Sequence, residues 1–456
     1  MLSLEGAERF FLGRGYLTFL GALALVGHIF AIEVVTMSLM LITCAFALFT
    51  LDSIRPFCAV LVLFIFQCSR ENAPSMPSFS DHYFTDGRGV WLAALFVFLA
   101  LALCVYLFRT RRITVERLRG LPYKFLSLLF SSALLLSGAL SGEWLPSSFL
   151  WGALEALALV ALPYLLMLGL SESDKSGALN YLLMLAETVA IVLIVETVYL
   201  YAACGVAEGG AADKGQVLYG WGIWTTAGMD MAVLIPLLML GALQGEHPRF
   251  SFFTAHALYF CCALTLSRNA LLFGAVALIA SAAVVLRRSA YRRLFSRIYI
   301  IFAALAALSS PLWITDALEL FSDFITRGFS DNGRLELWSY GMESFLESFV
   351  FGKGFFALST DTFRAENIFP PMLHNTFIQL AAATGVFGLI SYALWQCAVI
   401  TRLAFSRASG RTLLLFSYLT LLLMSLFDNF LFHIQPMFLF AVLLATSEAE
   451  KQKAVG

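Results

Sequence analysis

Apolar runs of helix length follow one another from residue 15 to residue 447, parted by short polar breaks. A helix that crosses a bilayer needs roughly 20 mainly apolar residues. By that measure the pattern predicts fourteen spans, at about 15–32, 34–51, 54–68, 89–108, 125–141, 147–170, 180–204, 226–243, 251–266, 270–286, 298–313, 373–400, 412–427 and 430–447. Three of them (54–68, 251–266 and 298–313) are short. One stretch, about 314–372, breaks the rhythm. Within it Leu335, Trp338, Met342, Phe345 and Phe349 recur at helical spacing, with Glu336, Glu343 and Glu347 elsewhere on the wheel. That predicts an amphipathic helix, opened by the Asp331-Asn332-Gly333 turn. Its aromatic-rich apolar face suits a place on the membrane or over a cavity. No internal repeat or coiled-coil heptad accompanies these runs.

Composition changes the picture from a helical protein to a membrane one. Of 456 residues, 60% are hydrophobic and 13% charged, with 43 Phe and a mean hydropathy of +0.84. A soluble chain carries roughly a quarter charged residues, and no water-soluble fold could hide this much apolar side chain. The fold class is therefore all-α, a polytopic transmembrane helix bundle. The first run follows Arg9 and Arg14 and leads directly into another, so it reads as a retained helix rather than a cleaved leader. The net charge of −1 points to no nucleic-acid partner. Eight cysteines lie within apolar runs or at their ends, with no C-x-x-C pair or metal spacing, and read as small packing residues.

The basic residues orient the bundle. Segments 109–124, 287–297 and 402–411 are the richest in Arg and Lys, and fourteen spans put all three on one side, which must be cytoplasmic. That side then holds 21 of the 29 Lys and Arg, and both termini. The organisation expected is residues 1–313 with eleven spans, an external loop at 314–372, and residues 373–456 with the last three. The loop faces outward and holds nine acids against four bases.

Three polar motifs fall at the outer boundary: Ser267-Arg268-Asn269 between two spans; Asp331-Asn332-Gly333-Arg334 with Trp338, then Phe351-Gly352-Lys353-Gly354; and His374-Asn375-Thr376-Phe377, followed by Gly385-Val386-Phe387-Gly388. Taken singly each has an ordinary use. An Arg at a span end snorkels to headgroups, His374 beside Asn375 could serve as a cap, and Gly352 with Gly354 could form a turn. Their order is more specific. The strings S-D-N-G-R-x-x-x-W, F-G-K-G-F and H-N-T-F with G-x-x-G-L, preceded by Leu266-Ser267-Arg268, resemble the O-antigen ligase-like superfamily over about residues 251–400. That group spans O-antigen ligases, Wzy-type polysaccharide polymerases and protein O-oligosaccharyltransferases. It often shows about a dozen spans.

The resemblance implies a cell-envelope glycosyltransferase of the bacterial cytoplasmic (inner) membrane. Such an enzyme moves a glycan from undecaprenyl pyrophosphate to a hydroxyl of a glycan or lipid A-core acceptor, without cofactor or metal. The residues suit that chemistry. A departing pyrophosphate gathers negative charge, which fixed guanidiniums can bind with paired donors; Arg268 and Arg334 are the candidates. A hydroxyl needs a base, and His374 fits. Ser267, Asn269, Trp338, Lys353 and Asn375 are the expected substrate-binding residues. Asp428, Asn429 and His433 also reach the outer face, so His374 is not alone as a possible base. Between polymerase and ligase the sequence leans to polymerase, since two lipid-linked substrates ask nothing extra of the outer surface. The alternative class is a secondary transporter or flippase for a lipid-linked glycan, favoured by Glu155, Glu187, Glu196 and Asp230 in or near spans.

Overall fold

The structure is a computed structural model, and it describes residues 4–64, 87–142, 144–205, 217–220, 222–305, 307–310, 333–356, 370–405, 410–429 and 432–453. Among the described residues the fold is all-α apart from a small hairpin pairing Leu218–Tyr219 with Gly222–Ile223. In chain order the helices are α1 (Leu4–Phe11), α2 (Arg14–Phe30), α3 (Glu33–Thr50), α4 (Arg55–Phe64), α5 (Gly87–Arg109), α6 (Val115–Gly120), α7 (Lys124–Leu135) and α8 (Pro146–Gly169). They continue with α9 (Glu172–Ala202), α10 (Trp224–Gln244), α11 (Pro248–Leu264), α12 (Arg268–Arg288) and α13 (Arg292–Ser310). The last four are α14 (Arg334–Glu347), α15 (Thr376–Ala404), α16 (Arg411–Met424) and α17 (Ile434–Lys453).

Every predicted apolar run meets a helix, because hydrocarbon leaves the backbone no hydrogen-bond partner except itself. Eight helices are long and apolar enough to cross a membrane among the described residues: α3, α5, α8, α9, α10, α12, α13 and α15. The pair α1–α2, bent by 52° at its break, brings the number to nine if it counts as one span. The protein is thus a multi-pass membrane protein. Other predicted runs form shorter helices, such as α11 with 17 residues and α7 with 12.

Burial divides the helices by position. The apolar window of α10 is 94% inside the protein, against 39% for α5 and 33% for α12. So α10 is the axis of the bundle, packed against α11, α12 and α16. Phe108, Phe125, Ile279 and Ile300 stand out from the surface, as lipid-facing side chains do.

The three basic segments share one end of the bundle. Arg402, at the end of α15, reaches both oxygens of Glu448 at 2.5 Å and stacks over Tyr123, whose hydroxyl donates to the same carboxylate at 2.9 Å. Gly410, across the same connection, lies against Leu240 and Gln244 at the end of α10. There Ser289 donates to the carbonyl of Ala242. The motif-bearing residues lie at the opposite end.

The expected amphipathic helix is α14, and it packs on the bundle by a face other than the apolar stripe. Gly341 and Ser344 are buried against the start of α15, while Leu335, Met342 and Phe349 are exposed. Small residues let the two backbones approach, so the large apolar ones turn outward. Gly333, with φ 78°, caps the helix without a side-chain bond; Asp331 and Asn332 lie outside the described residues.

Candidate active site

The site grows out of a clasp between the start of α15 and the turn after α16. Asn375 caps α15, its Oδ1 accepting from the backbone N–H of Phe377 at 2.9 Å and of Ile378 at 3.1 Å. Its Nδ2 donates to Leu426 O, and its own N–H donates to Asn429 Oδ1, both at 2.8 Å. Thr376 N–H donates to Ser425 O at 2.9 Å. Asn429 donates to Gln379 Oε1, which also accepts from the N–H of Leu373. Asn375, Gln379 and Asn429 are buried, and a buried amide network of this kind holds one geometry because each broken bond would leave an unsatisfied group.

His374 sits between two strands of that network with φ 51°, a left-handed conformation that costs a non-glycine residue about 1 kcal/mol or more. The bonds made by Leu373 and Asn375 hold it there. The imidazole is 40% exposed, and its Nδ1 lies 3.0 Å from Oδ1 of Asp428. Burial works to raise the carboxyl of Asp428. It is outweighed by the hydrogen bond to His374, the nearby His433 and the N–H of Asn429, so Asp428 is held below the ordinary carboxylate value. An ionised Asp428 favours the proton of a neutral His374 on Nδ1, leaving Nε2 with a free lone pair.

Arg334 arrives from the other side. It is the first residue of α14, and its Nη1 donates to Phe427 O at 2.7 Å. Phe427 and Asp428 are consecutive, so Arg334 and His374 meet on one turn. Trp338, one helical turn on, donates its indole N–H to Leu373 O at 2.9 Å, and this docks α14 beside His374. Gly341 packs so closely that a Cβ there would lie 2.7 Å from both Leu373 and Ile378.

The two glycine motifs interlock. Gly385 breaks α15 with φ 66° and ψ −164°. The freed carbonyls of Ala382 and Ala383 accept from the N–H groups of Lys353 and Gly354 at 2.8 and 3.0 Å. In return Val386 and Phe387 donate to the carbonyls of Phe349 and Val350. A Cβ on Gly352 would stand 2.3 Å from the carbonyl carbon of Ala383, so only glycine fits. Ser137 also donates to Ala383 O, at 2.7 Å. Lys353 itself turns its ammonium to Glu347.

Arg268 opens α12 after the cap Ser267, whose Oγ accepts from the N–H of Ala270 at 3.4 Å. Arg268 and Asn269 are half-buried. The tie between α12 and the clasp runs through Phe273, whose ring centroid lies 5.5 Å from that of Phe427. Of the expected site residues, Arg334, Trp338, His374 and Asn375 are thus joined directly, with Asn375 and Trp338 spent on local structure. Arg268 lies at the same end, on the helix that Phe273 ties to the clasp.

Asp428, Asn429 and His433 reach the outer face in the sequence, with His433 a second possible base, but nothing there joins Asp428 to His374. The signal was an acid and an amide after an apolar run, and only pairing across 54 positions reveals the partner. Among the described residues no group of three or more His, Cys, Asp or Glu is placed to hold a metal ion.

Residues 252–393 match the family model Wzy_C, described as O-Antigen ligase. That segment takes in most of α11, all of α12, α13 and α14, and the first part of α15, and so carries Arg268, Arg334 and His374. The likeness to an O-antigen ligase-like family read from the motifs therefore holds over this segment, and it supports a membrane enzyme of the glycan ligase or polymerase type. A search of the curated proteins gave no match. The match ends at residue 393, before the turn that supplies Asp428.

Proposed function

We propose that the protein transfers a glycan from undecaprenyl pyrophosphate to an acceptor hydroxyl on the outer face of a bacterial cytoplasmic membrane. Polymerase is favoured over ligation to lipid A-core, as two lipid-linked substrates require no further docking surface. The observation that carries the reading is the convergence of Arg334 and His374 on Phe427 and Asp428. The acceptor O–H gives its proton to Nε2 of His374 while its oxygen attacks the anomeric carbon. The bond from that carbon to the pyrophosphate oxygen breaks, and the pyrophosphate leaves with its charge. Arg334 and Arg268 stabilise that charge with no metal ion needed for the purpose. Asp428 balances the imidazolium that forms. Ser267, Asn269, Trp338, Lys353 and Asn375 shape the surroundings.

The helices make fourteen passes in this reading, both termini being cytoplasmic and the segment 314–372 external between residues 1–313 and 373–456. The common end shared by the three basic segments supports it. The transporter alternative loses its best-placed acid, for Glu187 is bonded to Arg14 at 2.8 Å and to Ser251 at 2.6 Å. Glu155, Glu196 and Asp230 lie on three different helices.

The test is glycan transfer from purified lipid-linked donor by the full chain in proteoliposomes. Arg334→Ala should abolish transfer, and Arg334→Lys should restore little, since a point charge cannot reproduce the forked donor. His374→Ala should leave donor binding nearly intact and slow turnover by roughly a hundredfold or more. Near-wild-type turnover by both alanine variants would end the enzymatic reading.

A further inference from the structure

A groove of about 390 Å³ runs down the outside of the bundle between α9 and α11. Val198, Tyr201 and Ala202 wall it on one side, and Ala257, Phe260 and Leu264 on the other. Ala202 and Ala257 are the small residues that leave the space. Its hydroxyls are already spent. Thr197 donates to Leu193 O and lies 3.1 Å from the hydroxyl of Tyr219, while Tyr201 donates to Leu264 O at 2.6 Å. What remains is an apolar trough that opens sideways, where Val198 and Phe260 are exposed. A dry apolar trough does not hold water; at the depth of a membrane span it holds a hydrocarbon chain.

The place of the groove says which chain. From Ala257 to Leu264 it extends about 10 Å along α11, and its upper end is the Tyr201–Leu264 bond. Immediately beyond, the chain turns through Leu266 (φ 56°) to Ser267 and Arg268. An apolar trough thus ends four residues before Arg268, the first residue of α12, an order that suits a molecule with an apolar tail and an anionic head. We propose that this groove seats the first isoprene units of the donor's polyprenyl chain and so presents its pyrophosphate to Arg268. The proposal rests on the donor assigned above.

The test compares Ala257→Trp, which fills the groove, with the unaltered protein, using the full chain in nanodiscs and two donors. One donor carries an undecaprenyl pyrophosphate, the other the same glycan on a single-isoprene pyrophosphate. With the long donor Ala257→Trp should raise KM roughly tenfold or more, through lost apolar contact, and leave kcat unchanged. With the short donor the two proteins should agree. Because the tryptophan could disturb folding, Phe260→p-benzoylphenylalanine supplies an independent measurement at an exposed position. On irradiation it should capture the undecaprenyl donor in the presence of excess phospholipid, and free undecaprenyl pyrophosphate should compete. Capture of phospholipid alone, or a KM unchanged by Ala257→Trp with the long donor, overturns the groove assignment. Those results with Arg334→Ala and His374→Ala still inactive would leave the transferase reading standing, whereas active Arg334 and His374 variants would remove both.

Discussion

The two ends of the bundle use arginine in opposite ways. At the basic end, Arg402 is forked onto Glu448 with Tyr123 completing the set, and Arg14 donates to one oxygen of Glu187, whose other oxygen accepts from Ser251. Both of these guanidiniums face an acid, so their charge is balanced inside the protein. At the other end Arg334 donates to a neutral carbonyl, Phe427 O, and no acid among the described residues is bonded to it. The acid on that turn, Asp428, is given to His374 instead. A balanced arginine stabilises a fold; an arginine placed on a dipole keeps its charge for an anion. The contrast fits the proposal that the second end is the reactive one.

The contrast can be broken most sharply by accessibility. A cysteine at position 360 should react with an impermeant thiol reagent on intact cells or spheroplasts, and one at 290 only after the membrane is opened, each in a background without native cysteines. The reverse pattern would overturn the orientation and the site with it.

Next in size is the exchange of arginines. Arg402→Ala should leave transfer per folded molecule unchanged while lowering stability by about 1–3 kcal/mol, because Glu448 is then buried without its partner. Thermal unfolding beside the transfer assay separates this from Arg334→Ala, where activity falls and stability holds. If Arg402→Ala also abolished transfer, the division of labour between the ends would be wrong.

The pair at His374 gives a pH signature. Asp428 has a depressed carboxyl in the folded protein. Its contribution to stability is therefore complete above the unfolded carboxyl value of about 3.9 and lost as pH falls through the lower folded value. A plot of Tm against pH should show this loss below about pH 4, and Asp428→Asn should flatten it. The same variant should slow transfer, since the amide no longer fixes the Nδ1–H tautomer.

The smallest effect expected is at Gly385→Ala. An added Cβ would stand 2.4 Å from Val350 O at φ 66°, so the interlock with 349–354 must loosen. Destabilisation of about 1–3 kcal/mol is expected, read by unfolding. An unchanged Tm would show that the break in α15 is not built around glycine.

Much of this was legible along the chain. Helices are local: each predicted run carries its own backbone hydrogen bonds, so apolar length alone located them, from α2 to α17. The motif residues Arg334 and His374 were also readable, because their order in the chain is what the family resemblance depends on. Trp338 and Lys353 were readable as motif members but not as to their partners, which are Leu373 O and Glu347. The stripe on α14 was legible as an apolar face, but not the face that docks on the start of α15, since a helix wheel does not show that Gly341 and Ser344 permit the closest approach.

Sequence by itself determined that this is an all-α membrane protein with its polar motifs gathered at breaks between spans. Hydrophobic length and residue order are one-dimensional quantities, so one dimension suffices to read them. Only the tertiary structure decided that Asp428 serves His374, that Arg334 meets them on the next residue, and that the two glycine motifs exchange backbone bonds. Those choices join positions 54, 93 and about 30 residues apart, and nothing in the local pattern of a chain states which distant polar group will satisfy another.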